Sequence, residues 1–452
     1  MSKTPKKLAI LCGGGPAPGI NSVIGAATIR AELEGVEVVG VQEGFKHIMR
    51  GDISQVKELN IENISRIHFR GGSFLGIARD NPTKKQETLE AAVTSLLRLN
   101  VDKLITIGGD DTAFSAMKIE EAANGRIHVI HVPKTIDNDL DLPHGIPTFG
   151  YQTARHVGVD IVQSLMVDAQ TTKRWYLVVS MGRKAGHLAL GIGKAAGATL
   201  TLIPEEFTSE KIRLHHIVDI IVGSIIKRLS YGRQNGVAVL AEGLVERLDP
   251  KDLQDLEQVE KDAHGHIRLA EVNFGEIVKS AVRNRLKDFG LEVTLVEKNI
   301  GYELRCADPI PFDMEYTRDL GFCAAQFILE GGNAAMVSVQ NGHFVPLYFK
   351  DILDPVTNKT KVRMVDINSE SYFIARRYML RLNRYDIEDP HTMAKYAAVC
   401  ATGTSKFEKE FRYLIEDDHM YQKEIANSIQ AGASESNEAF EKPLKKKEKS
   451  GK

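Results

Sequence analysis

Two acidic clusters and a run of three glycines carry most of the chemistry legible in this chain. The stretch Ile107-Gly108-Gly109-Asp110-Asp111-Thr112 sets two adjacent carboxylates directly after two glycines. Glycines at a strand-to-helix turn expose backbone amides, which together with the helix dipole favour an anion. Carboxylates at the same turn favour a hard cation, and Mg2+ commonly arrives with substrate phosphates. Asp110 therefore reads as a Mg2+ ligand or as a helix N-cap. The second cluster, Pro133-Lys134-Thr135-Ile136-Asp137-Asn138-Asp139, spaces two carboxylates by two residues beside a lysine. One of Asp137 and Asp139 can act as a general base and the other as its electrostatic or metal partner. Lys134 can clamp a phosphate, and the same Asp-Asn-Asp run can instead form Asx turns. Gly13-Gly14-Gly15-Pro16-Ala17-Pro18-Gly19 is a further candidate anion turn. It matches neither the dinucleotide fingerprint nor the P-loop, and a tight turn without a ligand explains it equally well.

Each cluster follows an apolar run. LAILC precedes the first glycine loop, and NSVIGAATIRAELEG follows it with Val23, Ile24, Ala27 and Leu33 at roughly helical spacing and Gly35 as a stop. VEVVGVQ reads as a strand, ETLEAAVTSLLRLN as a helix, DKLITIGG as a strand, AFSAMKIEEAA as a helix and HVIHVPKTIDND as a strand entering a polar loop. The middle repeats this order through WYLVVSMG, RKAGHLALGIGKAAG, ATLTLIPEE, HHIVDIIVGSIIKRLSYG and GVAVLAEG. Such alternation predicts an α/β fold with parallel sheets covered on both faces. Two such halves predict a cleft at the carboxyl ends of their strands. Residues 245–268 are charged and weakly periodic, which suits a surface excursion. From about 428 the chain is poor in apolar residues and charge-segregated, so a disordered tail is expected, its lysines a solvated end rather than a nucleic-acid arm.

The 452 residues suffice for a large core and about two domains. A hydrophobic share of 43% and a charged share of 26% are those of an ordinary globular protein, and a formal net charge of -2 draws it to neither nucleic acid nor membrane. Cys12, Cys306, Cys323 and Cys400 are far apart, so neither a disulfide framework nor a zinc site is indicated. The basic start enters glycines too soon for a signal peptide, and no apolar run reaches membrane-spanning length. A cytoplasmic protein is the expectation.

GGGPAPGIN, GGSFLGIAR, GGDDT, PKTIDND, MGRKAGHLA and AEG stand in the order of the phosphofructokinase family, which the chain resembles from about residue 8 to 330 and more loosely to about 400. The resemblance implies two Rossmann-like α/β domains with an active-site cleft between them. The expected donor-binding domain is 1–150 plus about 304–395, the sugar-phosphate domain 151–303, and a helical extension 396–427 precedes the tail. It implies phosphoryl transfer, with Mg2+, to the 1-hydroxyl of fructose 6-phosphate. Asp137 then resembles the general base, Asp139 its supporting carboxylate, Thr135 a transition-state hydrogen-bond donor and Asp110 the Mg2+ ligand. Gly14 resembles the backbone position meeting the transferring phosphoryl group, and Arg79 a donor-phosphate contact. Met181, Gly182 and Arg183 resemble the segment lining the sugar site, with Arg183 near the reacting phosphoryl, and Glu242 resembles a sugar-hydroxyl acceptor. Tyr302 and Arg305 fall where the family binds the 6-phosphate. Arg174 resembles the arginine that reaches that phosphate across a subunit interface, which implies a homodimer or homotetramer.

The resemblance also bears on the phosphoryl donor. ATP-using members read GGDGS or GGDGT and PGTIDND, where this chain has Asp111 and Lys134. Both departures match the pyrophosphate-dependent branch, and Asp111 is the more discriminating because Lys134 also occurs in some ATP-using relatives. A carboxylate in place of glycine fills the room of a nucleotide α-phosphate and repels it. Two like charges ~4 Å apart cost about 4 kcal/mol at an effective dielectric near 20, roughly a thousandfold in binding. Pyrophosphate has no α-phosphate and escapes this, and Lys134 can pair with its outer phosphate. The plainer alternative is that Asp111 caps the following helix through the Thr112 and Ala113 amides. Val296 stands where bacterial ATP-using relatives carry an arginine, and Lys298 is a candidate substitute. Arg376, Arg377 and Arg381 suit either closure over a sugar phosphate or an exposed helix face. An ATP-dependent phosphofructokinase is the alternative within the class. NAD and lipid kinases share the Gly-Gly-Asp turn but lack PKTIDND and MGR, and intact Asp110, Asp137, Asp139 and Arg183 argue against a silent subunit.

Overall fold

The computed structural model describes residues 6–254, 273–352, 361–400, 402–416 and 418. The expected tail from 428, and residues 255–268 of the expected surface excursion, lie outside them. In chain order the strands are β1 (Lys7–Cys12), β2 (Val38–Val41), β3 (Val56–Leu59), β4 (Val101–Gly108), β5 (His128–Pro133), β6 (Trp175–Ser180), β7 (Leu200–Leu202), β8 (Gly236–Ala241), β9 (Leu295–Ile300), β10 (Ala335–Gln340) and β11 (His343–Tyr348). They form a seven-stranded sheet in the order β11-β10-β5-β4-β1-β2-β3 and a four-stranded sheet in the order β7-β8-β6-β9. Within these sheets only the β2–β3 and β10–β11 pairs are antiparallel. Central strands are mostly apolar because helices cover both faces, and Leu8 to Cys12 are fully buried.

Register delivers the chemistry-bearing loops together. β1 pairs β4 with Cys12 opposite Ile107, and β4 pairs β5 with Gly108 opposite Pro133. The glycine loop after β1, the Gly-Gly-Asp-Asp turn after β4 and the PKTIDND loop after β5 therefore leave the carboxyl ends of three adjacent strands side by side. In the second sheet Ser180 lies opposite both Ala241 and Ile300, which aligns Met181, Glu242 and Gly301 in the same way.

The helix Pro311–Leu329, which the periodicity reading leaves unassigned, packs along Ile20–Leu33. It carries buried polar residues, Asp313 and Thr317, that blur its apolar stripe. Gly321 permits the close approach, since a Cβ there would stand 2.5 Å from the Val23 carbonyl oxygen and 3.0 Å from the Ala26 Cβ. Strands β10 and β11 extend the first sheet. The chain from Leu382 onward instead packs into the core of the second, with Ile387, Tyr396, Phe407 and Phe411, whereas residues to about 395 were expected with the first. The cause is electrostatic as well as apolar. Lys227, on the helix Leu214–Ser230, is buried and needs a counterion, which Asp386 supplies at 2.5 Å while also accepting from the Tyr396 hydroxyl at 2.7 Å. A valine at position 321 would force the two long helices apart, so Gly321→Val should cost about 2 kcal/mol. Urea unfolding of the two proteins measures it, and equal midpoints would contradict this packing.

Candidate active site

Three loops from the seven-stranded sheet build one wall. Gly13 N donates to the Ile107 carbonyl at 2.9 Å, and Gly14 N to the Ala78 carbonyl at 3.0 Å. Gly14 holds φ +84, a left-handed conformation open to glycine, and a Cβ at Gly13 or Gly108 would strike the Thr112 side chain within 2.5 Å. Across the loop, Lys134 N donates to Gly108 O at 2.7 Å and the Lys134 ammonium donates to Gly15 O. Burial pushes that ammonium down to about 8, against the pull of Asp137 and with help from Arg183 and Arg305. The helix Asp110–Ala123 starts at Gly109 and has no side-chain cap. The Thr112 and Ala113 amides donate to Gly109 O, so Asp111 does not cap the helix and its carboxylate stands exposed at the mouth of the turn.

Opposite stands a buried acidic pair. Thr135 Oγ1 donates to Asp139 at 3.1 Å and accepts from Asp137 N at 3.0 Å, and Asn138 takes a left-handed φ of +57 that aims Asp137 and Asp139 separately. Burial, then the neighbouring Asp139, pushes the Asp137 carboxyl up to about 6, and Glu242 adds to this. Arg183 opposes it. Its guanidinium lies 3.8 Å from Asp137 and 3.9 Å from Asp139, and its backbone N–H donates to Asp137. Burial works against the charge on Arg183, but Asp139, Asp137, Asp110 and Asp111 together outweigh it and hold it above its ordinary value. Arg183 extends from the loop after β6, so the carboxyl ends of the two sheets meet at this pair.

Of the other residues to which the resemblance gave a role, all but Arg174 fall around this centre. Glu242 accepts from Gly182 N at 3.1 Å, and Met181 N donates to Ile300 O at 3.0 Å. Arg79 is exposed and follows Ala78, which pairs with Gly13. Tyr302 is 77% exposed with the Arg305 guanidinium 4.6 Å from its ring centre. Arg305 also reaches the glycine loop, where its Nη1 would stand 3.2 Å from a Cβ at Gly15. Arg174 is the exception. It precedes β6, about 20 Å along the strand from Arg183, and pairs only loosely with Asp168 at 3.9 Å. Lys298 is about half exposed and pairs with Glu303 at 3.6 Å. Arg376 and Arg381 are neither over the site nor on an exposed face. Their side chains are largely enclosed, Arg376 paired with Asp418 and Arg381 with Glu206 at 2.8 Å. Arg377 lies over the Phe373 ring at 5.1 Å.

Sequence reasoning passed over three residues. His131 is buried beneath the Gly-Gly turn, its Nε2 3.0 Å from Gly108 O and its Nδ1 2.8 Å from the Thr106 hydroxyl. Burial pushes it down to about 3, so it is neutral, donating to Gly108 and accepting from Thr106. A histidine inside an apolar strand was the available signal. Arg363 holds the PKTIDND loop from outside it and no local pattern marked it, while His187, which holds Arg363, stands inside the MGRKAGHLA motif without a role assigned to it.

A model of the Phosphofructokinase family matches residues 7–328. The chain belongs to the phosphofructokinase family. Among curated members, it is 52% identical over 425 residues to a protein of Naegleria fowleri named pyrophosphate--fructose 6-phosphate 1-phosphotransferase, covering 91% of this chain and 97% of that one. It is 51% identical over 416 residues to a Thermotoga maritima protein of the same name, covering 91% of this chain and 99% of that one. A solved pyrophosphate-dependent phosphofructokinase from Nitrosospira multiformis superposes with a TM-score of 0.61 at 16% identity, over 88% of this chain and 92% of that one, and shows the shared fold. In this phosphofructokinase the acidic pair gives a direct observable. With 13C-labelled aspartate, NMR titration should show the Asp137 carboxyl with a midpoint near 6, moving up in Arg183→Met and down in Asp139→Asn. An ordinary carboxylate midpoint in the wild type would refute the assigned environment.

Proposed function

We propose that this protein catalyses the Mg2+-requiring, reversible transfer of a phosphoryl group from pyrophosphate to the 1-hydroxyl of fructose 6-phosphate, giving fructose 1,6-bisphosphate and phosphate. The observation that carries this reading is the buried Asp137, adjacent to Asp139 and Arg183 where the two sheets meet, with two glycine turns and Lys134 facing it. The names of the relatives above supply the substrates, and the exposed, uncapped Asp111 supports pyrophosphate over ATP.

Phosphoryl transfer asks chiefly for positioning and charge neutralisation. Asp137 accepts the proton of the sugar hydroxyl as that oxygen bonds to the outer phosphorus of pyrophosphate, and the bridging P–O bond breaks to release phosphate. Asp139 and the Thr135 hydroxyl hold Asp137 in place. Arg183 offsets charge on the moving group, and Gly14, without a side chain, lets that group approach the loop backbone, its own N–H being held by the Ala78 carbonyl. Lys134, Arg79 and the glycine amides hold the departing phosphate. Glu242, Met181 and Gly182 receive the sugar, with Tyr302 and Arg305 toward its 6-phosphate and Arg305 also within reach of the donor loop. Among the described residues no group of three or more His, Cys, Asp or Glu side chains is set to cage a metal. Asp110, at the turn after β4, is the carboxylate that would hold the cation. Mg2+ held there would supply neutralisation of the phosphate charge.

Arg174 enters this reading only through a second subunit, because its distance along β6 keeps it from the site of its own chain. We therefore propose at least a dimer, with cytoplasmic residence following from the substrates.

The pH dependence has a defined sign. Asp137 must be ionised to act as base, so the rate falls as pH drops through about 6. Lys134 must be charged to pair with phosphate, so kcat/KM falls as pH rises through about 8. Bound pyrophosphate favours the ammonium, so the alkaline limb of kcat lies higher than that of kcat/KM. Steady-state profiles over this range test both limbs, and Lys134→Met should abolish the upper one. Removing the base in Asp137→Asn should lower kcat by roughly a thousandfold with little change in KM. Asp111→Gly should raise kcat/KM for ATP by about tenfold or more, since part of a ~4 kcal/mol repulsion is removed. Wild-type turnover with ATP and none with pyrophosphate would defeat the donor assignment while leaving Asp137 as base.

A further inference from the structure

We propose that Arg363, with the short segment 363–365 around it, is a positioning residue for the phosphotransfer reaction: it straps the PKTIDND loop to the four-stranded sheet and so sets the base carboxylate against Arg183. The inference rests on the function proposed above.

Arg363 binds the loop from three sides. Its Nε donates to Asn138 O at 3.1 Å, its Nη1 to Ile146 O at 2.9 Å, and its Nη2 to the Asn138 side-chain oxygen. Its backbone N donates to Asp139 O at 2.8 Å, and Val362 pairs antiparallel with Leu140. Two of these acceptors, the Asn138 and Asp139 carbonyls, lie within the acidic run itself, one between the two carboxylate residues and one on the second of them. Asn138 holds a left-handed φ of +57, which is costly for a non-glycine residue unless its surroundings enforce it. The guanidinium fork satisfies both its carbonyl and its side chain, and Thr148 N donates to the same Asn138 oxygen at 3.0 Å.

The other side of the segment is fixed to the second sheet. His187, at the start of the helix His187–Ala196, lies with Nε2 3.0 Å from Arg363 O. Burial holds that imidazole below its ordinary value, so it is the neutral tautomer that donates to the carbonyl. Glu205, just after β7, accepts from Val365 N at 3.0 Å and from Gly186 N at 2.8 Å with the same oxygen. Gly186 and His187 close the MGRKAGH loop that carries Arg183. Residues 363–365 thus bond on one side to the loop bearing Asp137 and Asp139, and on the other to the loop bearing Arg183. Arg183 meets the carboxylates at 3.8 and 3.9 Å, distances that neither sheet sets alone. Among the described residues the Arg363 hydrogen bonds go to the acidic loop, Ile146 and His187, and none to Arg79, Glu242, Tyr302 or the glycine turns, so its loss should misplace the base without removing a substrate contact.

The test uses the full chain as wild type, Arg363→Ala and Arg363→Lys, assayed with fructose 6-phosphate, pyrophosphate and Mg2+. Misplacing a reacting group by an ångström costs about a hundredfold. The alanine variant should therefore lose about a hundredfold in kcat with each KM moved less than about threefold. Millimolar guanidinium should restore part of that activity, and should not restore Asp137→Asn. Lysine supplies one mobile donor in place of a planar fork, so Arg363→Lys should lie between, about tenfold down. If the alanine variant fails to fold, the lysine variant carries the test. Near-wild-type kcat in either folded variant, or a loss expressed in KM with no guanidinium rescue, overturns the strap. Absence of pyrophosphate-dependent turnover in the wild type would instead overturn the function on which it rests.

Discussion

The hydrogen bond from Lys134 N to Gly108 O is the contact on which the site is built. It is the last rung of the β4–β5 ladder, where one strand has just become a phosphate-type turn and the other is becoming the acidic loop. Parallel strands in register must release their loops side by side, so one ladder sets a glycine turn against a carboxylate pair. His131 donates to the same Gly108 carbonyl from below, giving both lone pairs of that oxygen a partner. The turn is thereby rigid on the side where an anion would rest, and preorganisation of that kind lets fixed dipoles act on charge without rearranging.

The electrostatics follow from burial more than from charge number. Three carboxylates, Asp137, Asp139 and Glu242, crowd one region with Arg183 between them. In water four such groups would largely ignore each other. With Asp137 and Asp139 buried, the like charges raise the proton affinity of Asp137 and the single guanidinium limits the rise. Lys134 is displaced in the opposite direction by the same desolvation. A carboxyl made more basic and an ammonium made more acidic bracket neutral pH, which is the condition a proton-accepting site needs.

The C-terminal third of the chain does work that its composition conceals. Its first helix braces the glycine loop side of the seven-stranded sheet through Gly321, and Asp313 holds the start of the helix Tyr151–Thr172 by accepting from Gly150 N and from Thr153. Its later segments pack on the second sheet around the buried Lys227–Asp386 pair. Between the two, residues 363–365 cross from one sheet to the other. Coupling between halves thus runs through the chain itself as well as through Arg183, and the relation of base to cation is a property of both sheets together.

Local pattern settled a good deal about this protein: the α/β alternation, most central strands, and the glycine and acidic loops, because strand periodicity and turn chemistry are properties of short segments. It also marked Asp110, Asp111, Lys134, Asp137 and Asp139, since these fall at strand ends where an α/β fold collects ligands, whereas Arg183 was marked only by the family resemblance. It was silent on β3, β9, β10 and β11 and on the helix Pro311–Leu329, whose polar or mixed faces are explained only by what packs on them. Tertiary structure decided that Asp111 does not cap its helix, that Arg376 and Arg381 form enclosed ion pairs, that Arg305 lies against the glycine loop, and that Arg363 and His187 brace the base. All but the first depend on partners tens to hundreds of residues away, and a pairing across such separations leaves no period and no spacing to read.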